Sequence, residues 1–196
     1  MRLGILGGSF DPPHLAHRAL ASLATDTLAL DELCWLPAHA PWQKAGRALA
    51  PAAHRLAMLR LLVQGEPRWT IDERELRREG PTYTIDSVRE LQAERPQAEL
   101  FLVIGQDQYA RFDTWRDWHE LLSRVTLAVA ARGGEPPCPP PALASLPHRM
   151  RPLALPRLDI SASAIRAQCA AGAPPAALVG DAVARYIARH RLYRRS

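Results

Sequence analysis

His14 and His17 stand three residues apart, directly after the run Gly7-Gly8-Ser9-Phe10-Asp11-Pro12-Pro13. On a helix, residues at that spacing are neighbours, so both imidazoles can serve one spot at the helix start. Imidazole beside a phosphate donates a hydrogen bond and can carry positive charge near neutral pH. The two glycines let a backbone turn sharply and offer its N–H groups with no side chain in the way. The chemistry these residue types suit is the binding of a phosphate anion. Two histidines that merely face water satisfy the same spacing, and spacing alone does not separate the two readings.

Those histidines need a strand before them and a helix under them. Residues 2–6 read as a short, buried, apolar strand. Pro12 and Pro13 suit the first turn of a helix, where a missing N–H costs no intrahelical bond. Leu15, Ala19, Leu20 and Leu23 then recur at helical spacing. Strand, glycine turn and helix N-terminus together make an anion-binding arrangement, because free amides and the positive end of the helix dipole converge there.

A second segment, Ile160-Ser161-Ala162-Ser163-Ala164-Ile165-Arg166, opens another helical pattern that ends near Gly172. Ser161 falls where an N-cap belongs. The hydroxyls of Ser161 and Ser163 can bind phosphate with the first-turn amides, and Arg166 can neutralise it. An ordinary serine-capped helix is the alternative.

These residues carry a resemblance. The stretch Gly8-Ser9-Phe10-Asp11-Pro12-Pro13-His14-Leu15-Ala16-His17 is similar to the G-x-F-D-P-x-H-x-G-H signature of the nucleotidyltransferase superfamily. The 160–166 segment resembles that superfamily's second signature, I-S-S-T-x-I-R. Ala16 replaces the usual glycine, and Ala162-Ser163 replaces Ser-Thr; neither change removes a polar group the chemistry needs. Gly80-Pro81-Thr82-Tyr83-Thr84, and Gly105-Gln106-Asp107 followed by Phe112 and Trp115, resemble one branch, the nicotinate mononucleotide adenylyltransferases.

The resemblance implies roles residue by residue. Gly7, Gly8, Ser9 and Phe10 would cradle the ATP phosphates, with Ile160, Ser161 and Ser163 from the second signature. His14, His17, Lys44 and Arg166 would stabilise the phosphates and the departing pyrophosphate, Lys44 through a P-x-x-x-P-x-x-K loop after the second strand. Gly105 and Asp107 would contact the adenosine side. Thr82, Tyr83 and Thr84 would hold the nicotinate group, and Trp115 would stack on its ring. By residue type alone, Thr84 caps a helix and Trp115 with Trp118 is core packing. Mg²⁺ is expected to ride on substrate phosphates and water, since no carboxylate cluster suggests a protein metal cage.

Composition bounds the rest. A chain of 196 residues with 47% hydrophobic content suits one α/β domain over residues 1–196, its C-terminal helices included. No run approaches the roughly 18 apolar residues of a membrane span, and no leader pattern precedes the first strand. Cys34, Cys138 and Cys169 suggest neither a disulfide framework nor a zinc site, which favours a reducing cytoplasm. The net charge of +5 equals the five arginines of residues 182–196, a stretch without acids, so the other 181 residues are neutral overall. That concentration argues for a solvated basic helix end over a nucleic-acid surface.

Between the signatures, 32–36, 68–72, 100–104, 125–130 and 151–155 read as strands. Residues 51–63 form a helix with Leu56, Leu59, Leu62 and Val63 on one stripe, and 73–79 form a solvated charged face. The proline-rich 132–141 stretch is a mobile or extended loop. Val179, Val183, Ile187 and His190 mark one last amphipathic helix. Strands alternating with helices predict a Rossmann-like, doubly wound parallel sheet. The expected activity is adenylyl transfer from ATP to nicotinate mononucleotide, giving deamido-NAD and pyrophosphate, with neither nucleic acid nor membrane as partner. A sister enzyme using another phosphorylated acceptor, a nucleotide sensor and an RNA-binding protein working through the arginine tail remain open at this stage. Oligomeric state is not legible.

Overall fold

Strand β1 (Arg2–Gly8) lies at the centre of a six-stranded sheet and carries the first signature at its carboxyl end. On one side it pairs in parallel with β2 (Glu32–Pro37), which pairs with β3 (Trp69–Ile71). On the other side it pairs with β4 (Glu99–Gly105), followed by β5 (Thr126–Arg132) and β6 (Met150–Leu155), all parallel. The order β3-β2-β1-β4-β5-β6 is doubly wound, and it reverses direction between β1 and β4. The computed structural model describes residues 1–39, 49–132, 135–172 and 175–194.

Alternation along β1 divides the core. Leu3 and Ile5 join Leu102, Ile104 and Leu127 beneath helix α3 (Thr84–Glu94), the short α4 (Gln106–Tyr109) and α5 (Trp118–Arg124). Leu6 faces the opposite way, with Trp35, Phe101 and Val103, under α1 (Leu15–Thr27) and α2 (Ala52–Val63). The same layer takes α7 (Ala162–Ala170), α8 (Ala176–Val179) and α9 (Asp181–Arg189), which follow the one-turn α6 (Pro141–Ala144) and β6. Helices therefore cover both faces, as the alternation predicts, and each central strand is buried on both sides. Among the described residues, no helix is long and apolar enough to cross a membrane.

Four local expectations are corrected. Gly7 and Gly8 belong to β1, and the turn comes two residues later, where Phe10 takes φ +46°. Gly8 is needed for room instead: a Cβ there would sit 3.0 Å from the Phe10 ring. Pro12 and Pro13 precede the N-cap, His14, instead of occupying the first helical turn. The final amphipathic stretch is two helices, because Gly180 at φ +83° breaks the pattern between Val179 and Asp181. The charged 73–79 run is not wholly solvated: Arg74–Arg77 form a 3₁₀ turn that buries Glu75 to 5% exposure.

Candidate active site

A cleft of about 430 Å³ opens at the carboxyl ends of β1 and β4, where the strand order reverses. Open α/β sheets place ligands at such a switch point, because loops from neighbouring strands there diverge to opposite faces. The first signature forms one wall with Gly7, Gly8, Ser9, Phe10, His14 and His17, and Ile160 and Ser161 of the second signature stand on the same cleft. Segments separated by about 150 positions thus share one cavity.

The histidine pair is tightly organised. His14 is the N-cap of α1, with extended backbone, and His17 is its third helical residue. The two rings stack at 3.6 Å between centroids with 23° between planes. The His14 amide donates to Nδ1 of His17 at 3.2 Å, which places the proton of a neutral His17 ring on Nε2. Phe10 braces the far side, its ring edge-on to His17 at 5.2 Å. Of the two capacities the sequence offers, a hydrogen bond and a positive charge, His14 keeps the first. At 7% exposure, burial lowers its pKa to about 4, so it stands neutral near pH 7. A neutral imidazole still donates one hydrogen bond.

Two buried residues outside the expected set hold this wall. Arg55 of α2, at 2% exposure, donates to the carbonyls of Ser9 at 2.7 Å, Ala38 at 2.8 Å and Ala50 at 3.0 Å. It ties the turn after β1 to the segment after β2. Its signal was a charge on a helical stripe with Met58, Leu59 and Leu62, a face the pattern otherwise reserves for the core. Asp11, at 2% exposure, is the other; its Oδ1 accepts from Tyr193 at 2.7 Å and from the Ala50 amide at 3.3 Å.

At the second signature, Ser161 caps α7 as expected, its Oγ accepting from the Ala164 amide at 3.2 Å. Ser163 does not line the cleft; its Oγ lies 3.1 Å from that of Ser161. Arg166 does not line it either, and donates from Nη1 to the Asp11 carbonyl at 2.5 Å. The two signatures are therefore bonded to each other at the rim. Lys44 lies outside the described residues.

The opposite end of the cleft is built by α3, α4 and the turn before α5. Thr82, Thr84, Gly105, Asp107 and Trp115 all line it. Thr84 is not the cap: Tyr83 occupies that position without a side-chain bond, and Thr84 is the first helical residue. The Tyr83 ring is not part of the lining and instead lies under the Arg116 guanidinium at 4.6 Å. Trp115 packs its ring on Phe112, 5.2 Å between centroids and 27° between planes, while also lining the cleft, so packing against the core does not remove it from the cavity. Glu75 was missed because its neighbours mimic a solvated run. Burial pushes its carboxyl upward, and hydrogen bonding from Ser87, at 2.8 Å, together with the Arg78 charge opposes that rise. Gln106 reaches out to the proline-rich segment, donating to the Cys138 carbonyl at 2.7 Å and accepting from its amide at 3.0 Å. Among the described residues, no three His, Cys, Asp or Glu side chains converge to hold a metal ion.

A switch-point cleft walled by both signatures defines a nucleotidyltransferase, and the cytidylyltransferase-like family model matches residues 5–168. Proteins of Methylibium petroleiphilum and Bordetella petrii, each named "Probable nicotinate-nucleotide adenylyltransferase", are 50% and 51% identical to this chain. Each alignment covers 98% of the chain, with 92% and 99% of the respective relatives. The chain belongs to the nicotinate-nucleotide adenylyltransferase family. The fold is also that of the Plasmodium falciparum nicotinic acid mononucleotide adenylyltransferase solved with NaAD, with a TM-score of 0.80 at 18% identity, covering 98% of this chain and 97% of that one.

Proposed function

We propose that residues 1–196 act as one catalytic domain that transfers the adenylyl group of ATP to nicotinate mononucleotide, releasing pyrophosphate. The observation that carries this reading is the shared cleft. His14 and His17 stand on one wall, Ser161 on a second, and Thr82, Thr84 and Trp115 at the far end. A dinucleotide product fits such a division, with triphosphate at the signatures and pyridine at the α3 start.

A phosphate oxygen of the mononucleotide attacks the α-phosphorus of ATP in line. The new O–Pα bond forms as the bond to the β-phosphate bridging oxygen breaks, and pyrophosphate leaves with that electron pair. No side-chain nucleophile is required; positioning and charge stabilisation lower the barrier. Nε2–H of His17 serves as a donor to the charge that develops, and neutral His14 adds a second imidazole beside it. The amides opening α7 and the Ser161 hydroxyl receive phosphate oxygens, with Ser163 and Arg166 supporting them from the rim. Lys44 is assigned to the pyrophosphate. Mg²⁺ would be carried by the substrate phosphates and water instead of by protein ligands, and would supply charge neutralisation at the triphosphate, a mode that suits a cation reluctant to shed its hydration shell.

Free amides at the start of α3 and the positive end of its dipole suit a pyridine carboxylate, with Thr82 and Thr84 beside it and Tyr83 at the cap. Trp115 offers a flat face to the ring. Gly105 and Asp107 meet the adenosine. We place the enzyme in the reducing cytoplasm, in keeping with free Cys34, Cys138 and Cys169. The deciding experiment measures pyrophosphate release from ATP against a panel of phosphorylated acceptors. Preference for nicotinate mononucleotide over its amide supports the reading; release with a different acceptor alone replaces it.

A further inference from the structure

The end of the chain returns to the first signature. Tyr193 donates its hydroxyl to Asp11 Oδ1 at 2.7 Å, across 182 positions. Among the described residues, it is the one side chain that donates to this buried carboxylate. The Asp11 backbone carbonyl is held separately by Arg166. Asp11 also follows Phe10, whose left-handed backbone makes the turn, and it stands three residues before His14.

Delivery of that hydroxyl is a built feature. Arg191 and Tyr193 both adopt positive φ, +52° and +62°, conformations that side chains other than glycine rarely take. Such strain persists only where surrounding contacts over-determine it. Here Leu192 donates its amide to the Ile187 carbonyl at 3.1 Å, and Leu192 and Tyr193 pack on the core layer beneath α1. Burial, reinforced by the Asp11 carboxylate, drives the Tyr193 phenol well above its ordinary range, so it keeps its proton and donates.

We infer that Tyr193 is a positioning residue for adenylyl transfer: through Asp11 it fixes the 9–14 turn, and with it the His14 and His17 imidazoles, against the triphosphate. This rests on the phosphate site proposed above. Without the hydroxyl, the Asp11 carboxylate keeps, among the described residues, the longer bond from the Ala50 amide. A buried carboxylate so poorly satisfied turns toward water or draws water in, and the turn moves with it. Misplacement of catalytic groups by about 1 Å is enough to slow a positioned reaction by roughly 10²-fold.

The test uses Tyr193→Phe in the full chain, which keeps the buried ring and removes one oxygen. Expected are a KM for ATP raised about tenfold and a kcat lowered about tenfold, smaller than the loss for full misplacement. The KM for nicotinate mononucleotide should change less than about twofold, and the thermal midpoint should stay within a few degrees. In an Asp11→Asn background, the same substitution should add almost nothing, since its partner is already altered. Equal losses toward both substrates with a lowered midpoint would reduce Tyr193 to a structural role and overturn the inference. Calorimetric titration of ATP without acceptor separates this from the choice of acceptor: unchanged ATP affinity in Tyr193→Phe overturns the inference whichever mononucleotide the enzyme prefers.

Discussion

His14 and His17 face each other ring to ring at 3.6 Å, and the backbone amide of the first holds Nδ1 of the second. Two imidazoles this close cannot both charge without strong repulsion. The burial that keeps His14 neutral therefore also spares His17 a charged neighbour. A neutral His14 meets a ligand through hydrogen bonding and not as a cation.

Replacing His17 by alanine removes the donor oriented by His14. We expect kcat to fall by roughly 10²–10³, the scale for one preorganised donor to transition-state charge. Pyrophosphate release under saturating substrates measures it. Near-normal turnover would take His17 out of the chemistry.

The neutral His14 also shapes stability. Its pKa falls from 6.5 to about 4 on folding, so between those values the unfolded chain binds the proton and the folded one does not. Stability is therefore retained above about pH 6.5 and lost as pH drops toward 4, by about 3 kcal/mol from this residue. Urea midpoints at pH 7 and pH 4.5 should converge more closely in His14→Gln than in the wild type.

Arg55→Met keeps the length and apolar stem but strips the donors from four carbonyls, those of Ser9, Ala38, His39 and Ala50. The guanidinium and the Ala38 carbonyl are buried and the Ser9 and Ala50 carbonyls partly so, and a loss of about 2–4 kcal/mol is expected in urea denaturation. Since one of them belongs to Ser9, kcat/KM for ATP should drop as well.

Trp115→Ala removes the flat face at the proposed pyridine end while leaving the wall built by the two signatures untouched. A stacking contact worth about 1.5 kcal/mol corresponds to a KM for nicotinate mononucleotide raised roughly tenfold. The KM for ATP should stay constant; a parallel rise in both would place Trp115 in the core alone.

Much of this molecule is readable along the chain. The strands announce themselves as short apolar runs, and the signature helices by spacing and by the Ser161 cap, since periodicity and capping depend on a few adjacent residues. The errors have the same physical origin in reverse. Glu75 sits among charges that look solvated, yet it is buried with its carboxylate accepting from Ser87 of α3. Gly7 and Gly8 look like a turn, but pairing with β2 keeps them extended and passes the turn to Phe10. Gly180 interrupts a helical stripe that hydrophobic spacing alone carries through.

By itself, then, the sequence determined the order of strands and helices, the parallel doubly wound plan and the two signature segments, because each rests on local spacing. Only the tertiary structure decided that Arg55 braces Ser9 and that Arg166 and Tyr193 close on Asp11. Polar burial depends on partners supplied by remote parts of the chain. No local pattern records which of many arginines or tyrosines will find a carbonyl or carboxylate waiting 46 or 182 positions away.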